Sequence, residues 1–346
     1  MKENENKFWG QRQVKSFEAK NFLLRTIKTP PAIPIGIAVM DTGVDDRHSA
    51  LNDILWKASE NFSVKINRTM LNFPKGAFGF DAFNIKDKSK RGLPRDTHSH
   101  GTMVAGIIGA NEIGVARFAG ARASFVRVLT VKTLAANISF ETIADEEAQN
   151  IIASLDFILE AKKILKHSSS PLDLRIVNMS FGFYRRKNPK FSDALADKIR
   201  ELANAGILIV ASIGNSGKNL DASTTDRDFT YYPAGIKCDG LIAVAATSRS
   251  GELWRNSNFG KESVHLAAPG DGIYTTKINN QFIRSAGTSL AAPFVSAAAA
   301  LLLSVNPQMK NIEIKKCLLE NADKNPILDV ESGGKLNIYE AVLNAV

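Results

Sequence analysis

Cysteine is scarce in this chain: two in 346 residues, Cys238 and Cys317. Neither lies in a CxxC or Cys/His pattern, so free thiols are expected rather than a disulfide, which favours a reducing compartment. Long hydrophobic runs are missing too. No window approaches the roughly 20 apolar residues of a membrane span, and residues 295–303 come closest. The N-terminus, MKENENKFWGQRQVKSFEAK, lacks an apolar core and a small-residue cleavage site, and so lacks a secretory signal pattern. There is no internal repeat and no low-complexity linker. Acidic residues are outnumbered, 35 Asp and Glu against 44 Lys and Arg, for a net charge of +9. That surplus is scattered. Its densest clusters, 86–91 and 185–190, are short and accompany no nucleic-acid-reading element, which argues against nucleic acid as a partner.

What is present is a series of short apolar runs: IGIAVM (35–40), ASFVRVL (123–129), LRIVNM (174–179), ILIVAS (207–212), LIAVAA (241–246) and VHLAA (264–268). Most are rich in Ile and Val without alternation, as in strands buried on both faces of a parallel sheet. Helical patterns intervene over 149–166 and over 192–204, where Ser192 is the expected cap. The expectation is a single three-layer αβα domain around a mostly parallel sheet. Asp41 follows the first of these runs, Ser180–Gly182 the third and Gly214–Asn215 the fourth. Ligands of open α/β sheets bind beyond the carboxyl ends of the strands, so these tips mark one rim as a site.

Three stretches carry chemistry. AVMDTGVDDRHSAL ends a buried strand on Asp41, which can cap the next turn or orient a histidine. DTHSHGTMVAGIIGA places His100 at the start of a segment that reads as a buried helix. SAGTSLAAPFVSAAAALLL places Ser289 at the start of another; read alone, Gly287, Thr288 and Ser289 are a helix cap. A serine nucleophile needs a base to take its proton and a carboxylate to hold that base, and Asp41, His100 and Ser289 supply one of each. Residue type alone leaves the combination weak.

The surrounding blocks make it specific. DTGVD, SHGTMVAG and GTSLAAP, in the chain order Asp, His, Ser, resemble the signatures of the subtilisin-like serine proteases. IVNMSFG, VASIGNSG, YYPAG, LAAPGDGIYTT and GGKLNIYEAV continue the resemblance from about Trp9 to Val342. It implies a subtilisin-like fold, with a tail over 1–8 and the peptidase domain over 9–346. It implies that Ser289 attacks a peptide carbonyl, His100 is the general base, Asp41 orients His100, and Asn215 with the Ser289 N–H binds the oxyanion. Ser180, Phe181 and Gly182 would form one edge of the cleft and Ser212, Ile213 and Gly214 the other. Tyr231 would make the P1 pocket shallow.

No cofactor is needed for that chemistry. NEIGV (111–115) resembles the family's calcium loop, making Asn111 and the carbonyls of Ile113 and Val115 candidate ligands, although no accompanying carboxylate is identifiable. His98 and His100 form a His-x-His without a third zinc ligand. His48, His167 and His265 carry no functional signal. The expected partner is a peptide or protein substrate, with no membrane. No propeptide is evident, so a separate inhibitor or folding partner is a candidate. The expected location is cytoplasmic, or extracellular if the sequence is a trimmed form. The rival readings are a dedicated precursor-processing peptidase or transpeptidase and a catalytically silent peptide-binding relative.

Overall fold

Ile- and Val-rich runs without polar alternation are stable only when both their faces are buried. The structure, a computed structural model, places them so, and it describes residues 7–27, 31–66, 68–117, 125–135, 145–184, 189–223 and 230–346. The first strands are β1 (Ile35–Asp41), β2 (Phe62–Ile66), β3 (Thr69–Phe73), β4 (Gly79–Asp81) and β5 (Val126–Lys132). Then come β6 (Asp173–Met179), β7 (Phe183–Tyr184), β8 (Leu208–Ser212), β9 (Tyr231–Tyr232) and β10 (Leu241–Thr247). The last are β11 (Leu266–Pro269), β12 (Ile273–Lys277), β13 (Gln281–Ser285), β14 (Asp323–Lys324) and β15 (Gly334–Lys335). The helices are α1 (Trp9–Gln13), α2 (Ser16–Thr26), α3 (His100–Gly109), α4 (Asp145–Leu165), α5 (Pro189–Asn204), α6 (Thr288–Val305), α7 (Asn311–Glu320) and α8 (Ile338–Leu343).

Nine strands form one sheet in the order β14-β15-β11-β10-β8-β6-β1-β5-β4. Every neighbouring pair is parallel except β14–β15. Alternate residues of each strand feed two separate cores. Ile37 and Val39 of β1 and Val244 of β10 face one, with α3 and α6. Ala38 and Met40 of β1 and Ala243 of β10 face the other, with α4 and α5. The expected three layers are therefore present. The chain runs from β1 outward to β4 and β5 on one side, then crosses to β6 on the other. The carboxyl end of β1 is thus the point where strand order reverses, the position at which open α/β sheets bind their ligands.

The strand cores match the sequence reading, while some ends differ. Helix α5 begins at Pro189, so Ser192 is a buried residue of its first turn and not its cap. Proline's fixed φ suits a first helical position, and this outweighs the serine signal. Residues 60–95, which yielded no strand from the sequence, hold the antiparallel β2–β3 hairpin and β4.

Candidate active site

Asp41 is the last residue of β1 and is fully buried. Its Oδ1 accepts the Thr42 N–H and lies 2.8 Å from Nδ1 of His100, so the carboxylate caps the turn and also holds the imidazole. His100 opens α3 and is itself buried. The approach is close because residue 101 is glycine: a Cβ there would fall 2.1 Å from the Gly43 carbonyl oxygen and 3.0 Å from Asp41 Cβ. Burial by itself pushes the His100 pKa down. The adjacent Asp41 charge and hydrogen bond, with Asp96 beyond, more than offset this and hold it above the usual histidine value.

Asp96 was not singled out from the sequence, yet it organises this corner. Its Oδ1 accepts from Thr42 Oγ1, His98 N and Ser99 N, and its Oδ2 from Thr102 N and Oγ1. Thr42 Oγ1 in turn accepts the Gly101 N–H at 3.0 Å. Ser99, just before His100, has φ 99°, a left-handed conformation that L residues avoid. Asp96 holds that residue in place. The spacing Asp-x-x-x-His was the available signal, but a buried capping carboxylate looks like any other loop Asp in sequence.

Parallel register sets the other tips beside Asp41. Met40 pairs with Met179 and Met179 with Ala211, so Asp41, Ser180 and Ser212 follow one another along the rim. Helix α6 packs against α3, β6 and β8. Its first turn is tied to the rim at two points. Thr288 N and Oγ1 both donate to Asn215 Oδ1 at 2.9 Å, and Gly214 N donates to Thr288 Oγ1. With its oxygen so held, the exposed Asn215 turns its amide nitrogen toward the space before Gly287. A Cβ on Gly287 would meet Ser289 Oγ at 2.9 Å and Asn215 Nδ2 at 3.5 Å. Asn258, buried and also missed by sequence reading, braces the Asn215 loop. Its Oδ1 accepts from Ser216 N and Lys218 N, and its Nδ2 donates to the Ile213 carbonyl.

The remaining candidates divide. Phe181 and Ile213 bury their side chains in the core, leaving backbone for a ligand. Tyr231 is buried between the two rim segments: Cβ atoms on Gly182 and Gly214 would lie 2.3 Å and 2.9 Å from its ring. Burial, with the neighbouring Tyr184, pushes its phenol pKa up.

The calcium candidates fit a metal poorly. Asn111 Oδ1 is a buried oxygen without a partner among the described residues. However, the Ile113 carbonyl accepts Gln11 Nε2 at 2.6 Å, and the Lys20 ammonium lies 3.4 Å from the Gly114 carbonyl. Burial lowers the Lys20 pKa to about 8, which leaves it charged at neutral pH. A divalent ion would meet a resident cation, while the loop's own carboxylate, Glu112, is exposed and pairs with Lys7 at 3.6 Å. Among the described residues no three His, Cys, Asp or Glu side chains cluster as a metal site, so His98 and His100 have no third ligand there.

The profile of the Subtilase family, peptidase S8, matches residues 34–338. The chain is 31% identical over 307 residues to a thermophilic serine proteinase of Bacillus sp. strain AK1, covering 88% of this chain and 61% of that one. It is 30% identical over 275 residues to subtilisin-like protease 2 of Plasmodium falciparum, covering 78% of this chain and 17% of that protein. Both shares of the relatives' length fall below two thirds. Among solved structures, the epidermin leader peptide processing serine protease of Staphylococcus aureus superposes with a TM-score of 0.70 at 20% identity. The match covers 97% of this chain and 80% of that one, a likeness of fold.

Proposed function

The chain belongs to the subtilase family, and from that premise we propose that it is a serine endopeptidase working through an acyl-enzyme. In this reading His100 takes the proton of the Ser289 hydroxyl as it attacks the scissile carbonyl, then returns it to the leaving amine. Asp41 fixes the ring with Nδ1–H toward itself, so Nε2 is the nitrogen that acts as base. The Asn215 amide and the Ser289 backbone N–H receive the oxyanion at the positive end of α6. The single observation that carries the reading is the buried pair of Asp41, at the end of β1, and His100, 2.8 Å away on a helix packed against the one bearing Ser289.

The substrate lies extended between 180–182 and 212–214 as an added strand. With Tyr231 filling the space between Gly182 and Gly214, small P1 side chains are accepted. That narrowing favours cleavage of a restricted set of sequences, as in precursor processing, over broad digestion. The test is labelling of the folded chain with a fluorophosphonate, mapping of the adduct, and cleavage of a peptide library. A single adduct on Ser289 and cleavage after small residues are expected. A folded protein that takes no label would make the chain a silent peptide binder.

A further inference from the structure

Proline at position 293 leaves a carbonyl of α6 without its helical partner. The oxygen of residue 289 would accept the N–H of residue 293, and proline has none. That oxygen belongs to Ser289, in a turn whose other residues are buried. A buried carbonyl without a donor is costly. Here the donor comes from outside the helix: the Ser180 hydroxyl donates to it at 2.7 Å.

The Ser180 hydroxyl is itself directed. Asn178 Nδ2 donates to Ser180 Oγ at 2.8 Å, which leaves the Ser180 proton for Ser289. Asn178 Oδ1 accepts from the Ser296 hydroxyl at 2.9 Å. Donation thus runs in one sense, Ser296 to Asn178 to Ser180 to the Ser289 carbonyl. Asn178 and Ser296 are wholly buried and Ser180 is 1% exposed. Residues 289 and 296 are two helical turns apart and so share a face. The relay clips that face to Asn178 near the end of β6 and to Ser180 just beyond it.

We propose that the Ser296–Asn178–Ser180 relay is a positioning device for Ser289. It fixes the pitch of the proline-broken first turn, and with it the direction of the hydroxyl. The proposal rests on Ser289 being the nucleophile, and it makes the Ser180 side chain a positioning group in addition to whatever its backbone offers a substrate. Misplacement of a reacting group by about 1 Å can cost about 10²-fold in rate, so a relay of this kind acts on kcat.

The test is the rate of fluorophosphonate labelling of the full chain, with kcat and KM on the best library peptide. Ser180→Ala should slow labelling by about tenfold or more and lower kcat with little change in KM. Ser180→Thr, which keeps the hydroxyl, should label faster than Ser180→Ala. Ser296→Ala, far from any substrate, should also slow labelling, and it serves if Ser180→Ala does not fold. The decisive variant is Ser180→Ala with Pro293→Ala, which returns an N–H to the Ser289 carbonyl and should recover much of the lost rate. Wild-type labelling in Ser180→Ala overturns the proposal, as does a defect that Pro293→Ala leaves untouched, since that is a lost substrate contact. If the wild-type chain takes no label, the peptidase reading fails first.

Discussion

Five hydrogen bonds converge on the Asp96 carboxylate, and its charge helps to hold the His100 pKa up. A general base works when neutral, so activity should rise through a pH above the usual histidine value. Asp96→Asn removes a negative charge, lowers the His100 pKa, and should move the acid limb of kcat/KM to lower pH. It should also cost about 1–3 kcal/mol of stability, because one acceptor becomes a donor facing donors; a limb that stays in place would remove Asp96 from the electrostatics. Asn215→Ala should lower kcat by about 10²–10³ with an unchanged fold, measured beside its circular dichroism. The proposed reacting groups Asp41, His100, Asn215 and Ser289 stood out in the sequence because their neighbours form short contiguous motifs. Asp96, Asn178, Asn258 and Ser296 were not. Each acts on residues brought near by strand register or helix packing, and their neighbouring sequence carries no trace of this.

Among elements, the rim segments 180–182 and 212–214 frame a space that the Tyr231 ring occupies. Tyr231 stands in the two-residue strand β9, paired antiparallel with β7, so its backbone is fixed and the ring cannot withdraw as a free loop would. Tyr231→Gly should open the pocket and shift library cleavage toward large aromatic P1 residues, at a cost of about 3 kcal/mol or more for the lost core packing. An unchanged profile would place the P1 pocket elsewhere. The sequence marked Tyr231 through the YYPAG block, whereas its contact with both glycines needed the two rim segments in place. Helix α6 shows the reverse case. It is 18 residues long and apolar enough to cross a membrane by length and composition, a longer stretch than the run over 295–303, yet 89% of it is buried inside the protein. Its helical character was plain from the alanines and leucines; its burial follows from the sheet and helices around it.

Across the whole molecule, stability depends on groups far from the site. His265 is largely but not fully buried, accepts the Ala243 N–H on Nδ1, and has its pKa lowered to about 3, first by desolvation and then by Lys315. Glu331, 3.6 Å away, is half-exposed and too screened to reverse this. Between pH 6.5 and about 3 the unfolded chain binds a proton here that the folded chain refuses. The stabilisation is therefore complete above pH 6.5 and is lost as pH falls through that window. Tm should drop over that range, and drop less in His265→Asn, whose Oδ1 can still accept from Ala243; equal slopes would exonerate His265. Because the Lys20 ammonium already lies beside the 111–115 loop, adding calcium or a chelator should leave Tm unchanged, and a rise with calcium would show that Lys20 yields to the ion. By itself the sequence determined the layer architecture and pointed to the reacting groups proposed here, because hydrophobic periodicity and short motifs are local properties of a chain. Only the tertiary structure decided what surrounds those groups: the Asp96 cap, the serine relay beneath Ser289, the Tyr231 ring between the rim glycines and the cation at the loop. Each joins residues distant along the chain, and their separation is set by packing.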